Sequence, residues 1–290
     1  MKKIHYIILT SIFLLNAQVA SASLAISPGE ANPTMHFVIE AGQSYMGEVI
    51  VFNKYDVTKT IVVSSVDSIR SPSGSLLPLA NYDEKKGVGL WTSFNNTTKY
   101  EIPGSDNITI PFTLSIPSDT PIGTYGGALT VKEEIDKSSQ NGDVSFSTRQ
   151  AYLLTVNVPG ETTTDIEISD LKYADIPGNN DLISFKIENN GNSTLLIRHV
   201  LSLSDYSGNE IDRFSSEEFY LYKNESFTKT SEIRNEQYIG KFVATLDVEI
   251  SEYNFVTDEK VPYRNLQLST TFTKIPWLHL GISLVGFLTI

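Results

Sequence analysis

The chain has 290 residues, a length typical of two domains, and its formal net charge is -12 at pH 7. A composition of 40% hydrophobic and 19% charged residues is typical of a folded protein and argues against a disordered one. The absence of cysteine excludes disulfides, thiolate metal sites and cysteine nucleophiles, and the acidic balance disfavours nucleic acid as a partner.

Residues 1–22 have the three regions of a secretory signal peptide. Basic Lys2 and Lys3 precede an apolar run from Tyr6 to Val19, and a small-x-small sequence ends at the predicted cleavage residue, Ala22. A buried first helix is the less favoured alternative, because few core helices combine these three features. We therefore predict an exported mature chain that begins at Ser23.

Residues 23–160 are predicted to form a first β-sandwich domain. Every second residue from Ile108 to Ile116 is apolar, and outward-facing Pro111 predicts an edge position or a local interruption in this strand. Further strands are predicted at Met35 to Glu40, Tyr45 to Asn53, Lys59 to Asp67, Thr124 to Lys132 and Phe146 to Val158.

The stretch from Ser71 to Gly104 is rich in Gly and Asn, is predicted to be a long loop and contains a cluster of aromatic residues. Long loops carry binding sites more often than strands do, and exposed aromatic rings stack on sugars. For Trp91 alone, a role as a core anchor is favoured at roughly two to one over ligand binding. The candidate surface for glycan or partner binding consists of Tyr82, Trp91, Phe94 and Tyr100.

Residues 161–274 repeat the pattern and predict a second β-sandwich domain. Period-two alternation is clear at Ile183 to Ile187 and at Phe242 to Ile250, and the Pro159-Gly160 turn marks the boundary. Further strands are predicted at Thr164 to Tyr173, Leu195 to Asp205, Glu217 to Tyr222 and Leu266 to Thr273. The predicted fold class is all-β, with two immunoglobulin-like β-sandwich domains that lack the Cys-Trp-Cys pin of antibody domains.

Residues 275–290 contain no Asp, Glu, Lys or Arg and are predicted to be a transmembrane segment. Trp277 suits the membrane interface, although a spanning helix needs about 20 apolar residues. The alternatives are a last core strand or a removed sorting tail. With the signal peptide, this segment predicts a single-pass membrane protein whose domains lie outside the cell.

Several segments of the first domain occur in the order found in a known family. The order resembles the N-terminal domain of the bacterial WxL-interacting proteins over roughly residues 26 to 158. The resemblance implies a peptidoglycan-binding domain followed by a second immunoglobulin-like domain and a transmembrane helix. The matching segments are Ser27-Pro28-Gly29, Ile39 to Ser44, Val49 to Asn53, Gly89-Leu90-Trp91 and Phe112 to Gly127.

No recognisable catalytic or cofactor motif occurs in the sequence. The four histidines lack metal-ligand spacing, and no Gly-x-Ser-x-Gly or phosphate-loop motif is present. Adjacent carboxylates such as Glu133 and Glu134 would point to opposite faces of a strand. We predict a protein without enzymatic activity or cofactor; a hydrolase, the least favoured class, would need carboxylates from distant strands on one concave surface.

Two functions are predicted from these features. The main prediction is a membrane-anchored cell-surface binding or adhesion protein that contacts cell-wall polysaccharide, peptidoglycan or a surface protein. The alternative is a periplasmic chaperone-like protein that donates or accepts strands during the assembly of surface fibres.

Overall fold

The structure is a computed structural model that describes residues 24–29, 35–80, 85–95, 97–134, 149–176, 180–233 and 240–274. Within these ranges the chain is built from β-strands and a four-residue helical turn, α1 (Val88–Trp91). The predicted all-β class is therefore confirmed. The predicted signal peptide and its cleavage residue, Ala22, lie outside the described residues.

Residues up to Val158 form a first sandwich of two sheets. One sheet has the order β1-β3-β8-β6, and the other has the order β2-β10-β9-β4-β5 with β7 also paired to β4. The strands are β1 (Leu24–Pro28), β2 (His36–Val38), β3 (Ser44–Asn53), β4 (Lys59–Arg70), β5 (Leu76–Pro78), β6 (Thr92–Phe94), β7 (Lys99–Ile102), β8 (Asn107–Ser115), β9 (Gly123–Glu133) and β10 (Arg149–Val158).

The alternation in β8 works as predicted, because Ile110, Phe112 and Leu114 are buried while Pro111 is exposed. Burial of each such side chain contributes about 1.5–3 kcal/mol. β8 is not an edge strand along its whole length, since β6 pairs with Phe112 to Leu114. That ladder stops one residue before Pro111, which has no N–H to donate to a second neighbour.

Residues from Ile166 onward form a second sandwich. Its sheets have the orders β11-β12-β16 and β14-β13-β17-β18, with β15 also paired to β13. Its core is separate from the first and is centred on Phe185, Phe227 and Leu246. The strands are β11 (Ile166–Ala174), β12 (Asp181–Asn189), β13 (Thr194–Asp205), β14 (Glu210–Ser215), β15 (Phe219–Leu221), β16 (Ser226–Ile233), β17 (Gly240–Asn254) and β18 (Glu259–Lys274).

The structure contradicts the predicted single-pass membrane localisation. In the part of the chain that it describes, no helix is long and apolar enough to cross a bilayer. The predicted transmembrane segment, residues 275–290, lies outside the described residues, and its run is shorter than the roughly 20 residues that a spanning helix requires.

Candidate functional site

The structure places the predicted aromatic residues in or against the first core. Trp91 is only 8% exposed and packs edge-on against Tyr125, with 4.9 Å between ring centroids. Phe94 and Tyr100 are partly buried against the same core, and the Tyr100 hydroxyl donates to the carbonyl of residue 97 at 3.2 Å. Tyr82 lies outside the described residues. A binding role for these four residues stays a prediction.

The stretch predicted as a long loop is instead subdivided by β5, α1, β6 and β7. The Asp67 carboxylate stabilises the α1 turn, because it accepts hydrogen bonds from the backbone N–H groups of Lys86 and Gly89, both at 2.7 Å. A Cβ on Gly89 would lie 2.7 Å from the Asp67 nitrogen, so only glycine fits against this strand. This clamp presents Trp91 to the core.

Among the described residues, one strand at the margin of the first sandwich is incompletely covered. β10 pairs with β9 along its ten residues, from Arg149 to Val158, but β2 pairs with it in parallel only at Thr155, Val156 and Asn157. The uneven coverage follows from the length of β2, which has three residues. The first half of β10 therefore extends beyond the ladder that β2 forms.

Apart from Arg149 at the start of β10, the side chains on the outer face of this margin are apolar or weakly polar. Leu154 and Val156 point into the core, whereas Ala151 is exposed and Leu153 is 38% exposed. Val38, on β2, is 46% exposed. The strand register places four of these side chains on the same face of the sheet, along its β10–β2 margin. We call this set the β10 edge; it consists of His36, Val38, Ala151 and Leu153.

The hairpin between β17 and β18 reaches the β10 edge from the second sandwich. Phe255 lies at its turn, with 5.3 Å between its ring centroid and that of His36. The same ring contacts Tyr253 at 4.9 Å and Tyr220 at 5.6 Å. Burial lowers the pKa of His36, although the charge of Asp258 acts in the opposite direction. His36 thus joins the two sandwiches as a predominantly neutral ring at pH 7.

A largely buried ion pair holds the junction between the sandwiches. The Arg70 guanidinium lies 2.7 Å from the Glu225 carboxylate, and the side chains are only 4% and 18% exposed. Arg70 also donates to the Gly74 carbonyl at 2.9 Å and lies 5.0 Å from the ring centroid of Tyr222. Burial, as the main cause, raises the pKa of that phenol. These bonds satisfy both charges and fix the junction at this point.

A second set of contacts fastens the junction at the start of β9. The hydroxyls of Thr124 and Thr194 are 2.7 Å apart, and Lys223 donates to the Ile122 carbonyl at 3.1 Å. Gly123 between them has φ +139°, a conformation that disfavours any other residue. An open cleft of about 750 Å³ lies beside these contacts, with Trp91 and Tyr125 on one side and Tyr222 on the other.

Sequence reasoning missed the β10 edge and the ring of Phe255. The available signal was the run Ala151-Tyr152-Leu153-Leu154, in which apolar residues occupy both faces of a predicted strand. A strand with one solvent-exposed face alternates more cleanly.

The residues that the structure describes contain no group of three His, Cys, Asp or Glu side chains placed to hold a metal ion.

No family model matches the sequence, and no curated protein matches it. Among solved structures, a complex of a chaperone and a tip adhesin of CFA/I fimbriae is 15% identical, with 86% of this chain and 99% of that chain covered and a TM-score of 0.43. The class 5 fimbriae chaperone CfaA is 16% identical, with 87% and 99% covered and a TM-score of 0.40. The CsuC–CsuE chaperone–tip subunit complex from Acinetobacter baumannii is 12% identical, with 85% and 98% covered and a TM-score of 0.41.

Proposed function

We propose that this protein is a chaperone-like protein for the assembly of surface fibres, which was the alternative prediction from the sequence. It binds a fibre subunit by pairing a strand of that subunit with the first half of β10. The observation that carries the proposal is the short reach of β2, which pairs with three residues of β10, next to exposed Leu153.

Strand pairing of this kind supplies two forms of recognition. Main-chain hydrogen bonds provide affinity, and alternate side chains select the partner. On β10 the alternate side chains are Ala151 and Leu153, one small and one aliphatic, which suits a partner that leaves an apolar groove uncovered.

The second sandwich acts as a brace in this proposal. The Arg70–Glu225 ion pair and the contact between His36 and Phe255 hold it against the first sandwich beside the β10 edge. A fixed wall next to a strand edge lowers the entropy lost on binding. The partner therefore meets a preformed corner whose geometry does not depend on a ligand.

The proposal retains export and drops the membrane anchor. The predicted signal peptide would deliver the chain to the compartment in which fibre subunits fold. The protein has no catalytic role in this account, because strand pairing requires only a prepared edge. The predicted contact with peptidoglycan rests on the family resemblance and gains little from Trp91, Phe94 and Tyr100, since these residues lie in or against the core.

Site-specific photo-crosslinking tests the proposal. A photoreactive residue replaces Leu153 in the chain expressed in its source cells, and a matched variant carries it at Met46, which is 80% exposed on the other sheet of the same sandwich. We expect position 153 to capture a β-rich exported subunit that mass spectrometry identifies, and position 46 to capture none. Equal capture at the two positions, or capture of no exported subunit at 153, would overturn the proposal.

A further inference from the structure

Most sheet-terminal strands of the described chain are protected against pairing with another chain. β1, β2, β5, β6, β7 and β15 have five residues or fewer. β11 is irregular between Ser169 and Lys172, and β14 has a register shift and carries Asp212 and Arg213. β16 carries Lys229. Short length, bulges and charges are the usual means by which sheets avoid edge-to-edge association.

β18 differs in its second half. Its first half is interrupted by Pro262 and by a register shift between Ile250 and Ser251 on the neighbouring strand. From Asn265 to Thr273 it has neither proline nor charge and pairs regularly with β17. No strand within the described ranges pairs with its other side. We call Asn265–Thr273 the β18 edge.

The β18 edge is also packed against the second core. Phe272 stacks on Tyr173 of the opposite sheet, with 4.0 Å between centroids and 9° between ring planes, and it contacts Phe242 at 5.6 Å. Alternate residues lie half-buried against the second core. The exposed set, by contrast, is polar and uncharged, and consists of Asn265, Gln267, Ser269, Thr271 and Thr273.

We propose that two copies of this chain associate through their β18 edges, as antiparallel strands related by a two-fold axis at Thr270. This register places Leu268 opposite Phe272 of the second copy and Ser269 opposite its Thr271. Aliphatic–aromatic and hydroxyl pairs of this kind stabilise antiparallel sheets. The result is one continuous sheet that spans both copies.

Charge and proline positions disfavour the registers whose axes lie nearer the start of β18. Two-fold axes at Ser269 or at Gln267 would put Lys274 opposite Arg264 or Lys260, and like charges directly opposite are destabilising. An axis at Leu268 would bring Pro262 into the new ladder, where it cannot donate a hydrogen bond. The axis at Thr270 avoids all three conflicts.

We assign a second copy of this chain as the partner of the β18 edge, because the resulting dimer leaves neither edge unpaired. A two-fold contact uses the same edge on both copies and covers both at once. A strand from a different protein would also cover the β18 edge, but the sequence pattern of this edge is complementary to itself.

Sedimentation velocity of the purified chain, at about 0.15 M salt and over a range of concentrations, tests the proposal. We expect a concentration-dependent dimer. Ser269→Lys with Thr271→Lys puts lysine opposite lysine twice, and we expect dimerisation to weaken by about tenfold. Ser269→Glu with Thr271→Lys instead forms two opposite-charge pairs across the axis, so we expect the dimer to remain. Both altered positions are exposed, and circular dichroism verifies folding.

The matched control is Thr228→Lys with Thr230→Lys on β16, which adds the same charge to two exposed positions of a protected edge. We expect the dimer of this control to match that of the unaltered chain. A chain that is monomeric at all concentrations would overturn the proposal, and so would equal weakening by the two β18 variants. The outcome is independent of the proposed strand binding at β10, which crosslinking at Leu153 reports.

Discussion

The two sandwiches end one core strand in the same way but fill their cores differently. Asn53 ends β3 and Asn189 ends β12, and each buried amide bonds the backbone of the loop that follows. The buried Ser65 hydroxyl of the first sandwich likewise donates to a backbone carbonyl. The second sandwich, by contrast, encloses a titratable ring, that of His199, which is 3% exposed among Phe185 and Phe227. The comparison shows that a hydrogen-bonded polar group supports a sandwich, while a buried titratable group makes its stability depend on pH.

The largest expected effect comes from removing the Asn53 amide. Its nitrogen donates to the carbonyls of Val57, Ile102 and Pro103 at 2.9–3.0 Å, and its oxygen accepts the N–H of Tyr55 at 3.0 Å. We expect Asn53→Leu to lower the free energy of unfolding by about 3–5 kcal/mol, because several buried groups lose their partners. Urea denaturation measures the change.

Asn189 sharpens the comparison, since its nitrogen donates to two carbonyls rather than three, those of Ser193 at 2.8 Å and Leu221 at 3.1 Å. Its oxygen accepts one N–H, that of Gly191 at 3.1 Å, as the oxygen of Asn53 does. We expect Asn189→Leu to cost less than Asn53→Leu, at about 2–4 kcal/mol. An equal or larger loss at Asn189 would mean that the number of bonds does not set the cost.

The next effect is a dependence on pH that belongs to the second sandwich. Burial, aided by the charge of Lys229, lowers the pKa of His199 to about 4, against about 6.5 in an unfolded chain. The unfolded chain therefore binds the proton more readily, and stability falls as the pH drops from about 6.5 to about 4. The loss amounts to about 3 kcal/mol.

His199→Leu is the control for this loss. The Nδ1 of His199 has no hydrogen-bond partner in the part of the chain that the structure describes, so leucine leaves no bond unmade there. Urea titrations at a series of pH values should show a smaller loss of stability in the variant than in the unaltered chain. If the free energy of unfolding depends on pH equally in the variant and in the unaltered chain, other groups cause the pH dependence.

The junction gives a smaller effect on stability and a clear effect on geometry. Arg70→Met leaves the Glu225 carboxylate without its guanidinium, and we expect a loss of about 1–3 kcal/mol because Glu225 keeps partial access to water. Spin-label distances between the sandwiches should broaden in Arg70→Met. If the distributions of these distances stay narrow, the ion pair does not fix the junction.

The smallest effect is expected at the hairpin turn. Phe255→Ala removes a ring that contacts His36 and Tyr253 at the margin of the junction, and we expect a change in the free energy of unfolding of about 1 kcal/mol. Val256→Ala is the matched control, since Val256 is 61% exposed. Equal effects of the two substitutions would indicate that the ring contacts contribute nothing.

Much of the fold could be predicted because alternation is a local property. Ile108 to Ile116 and Phe242 to Ile250 each show it within one strand, and both form strands. The short strands between Ser71 and Gly104 were missed, since three or four residues do not establish a period. Their placement depends on the Asp67 clamp, which joins residues about twenty positions apart.

The candidate site could not be predicted from local sequence patterns, for a related reason. Whether a strand lies at an edge depends on which other strands reach it, and Leu153 reads as an ordinary core residue within its segment. The aromatic residues chosen from sequence, Trp91, Phe94 and Tyr100, have the composition of a binding surface but serve the core. Ring chemistry alone does not separate the two roles, because large aromatics dominate both.

Hydrogen exchange tests the central claim, that β10 binds the strand of another protein. Amide exchange is measured in the chain alone and in complex with the subunit captured through position 153. The account predicts slower exchange in β10 on binding and unchanged exchange in β3, which already has β1 and β8 on its two sides. Unchanged exchange in β10, with protection elsewhere, would contradict it.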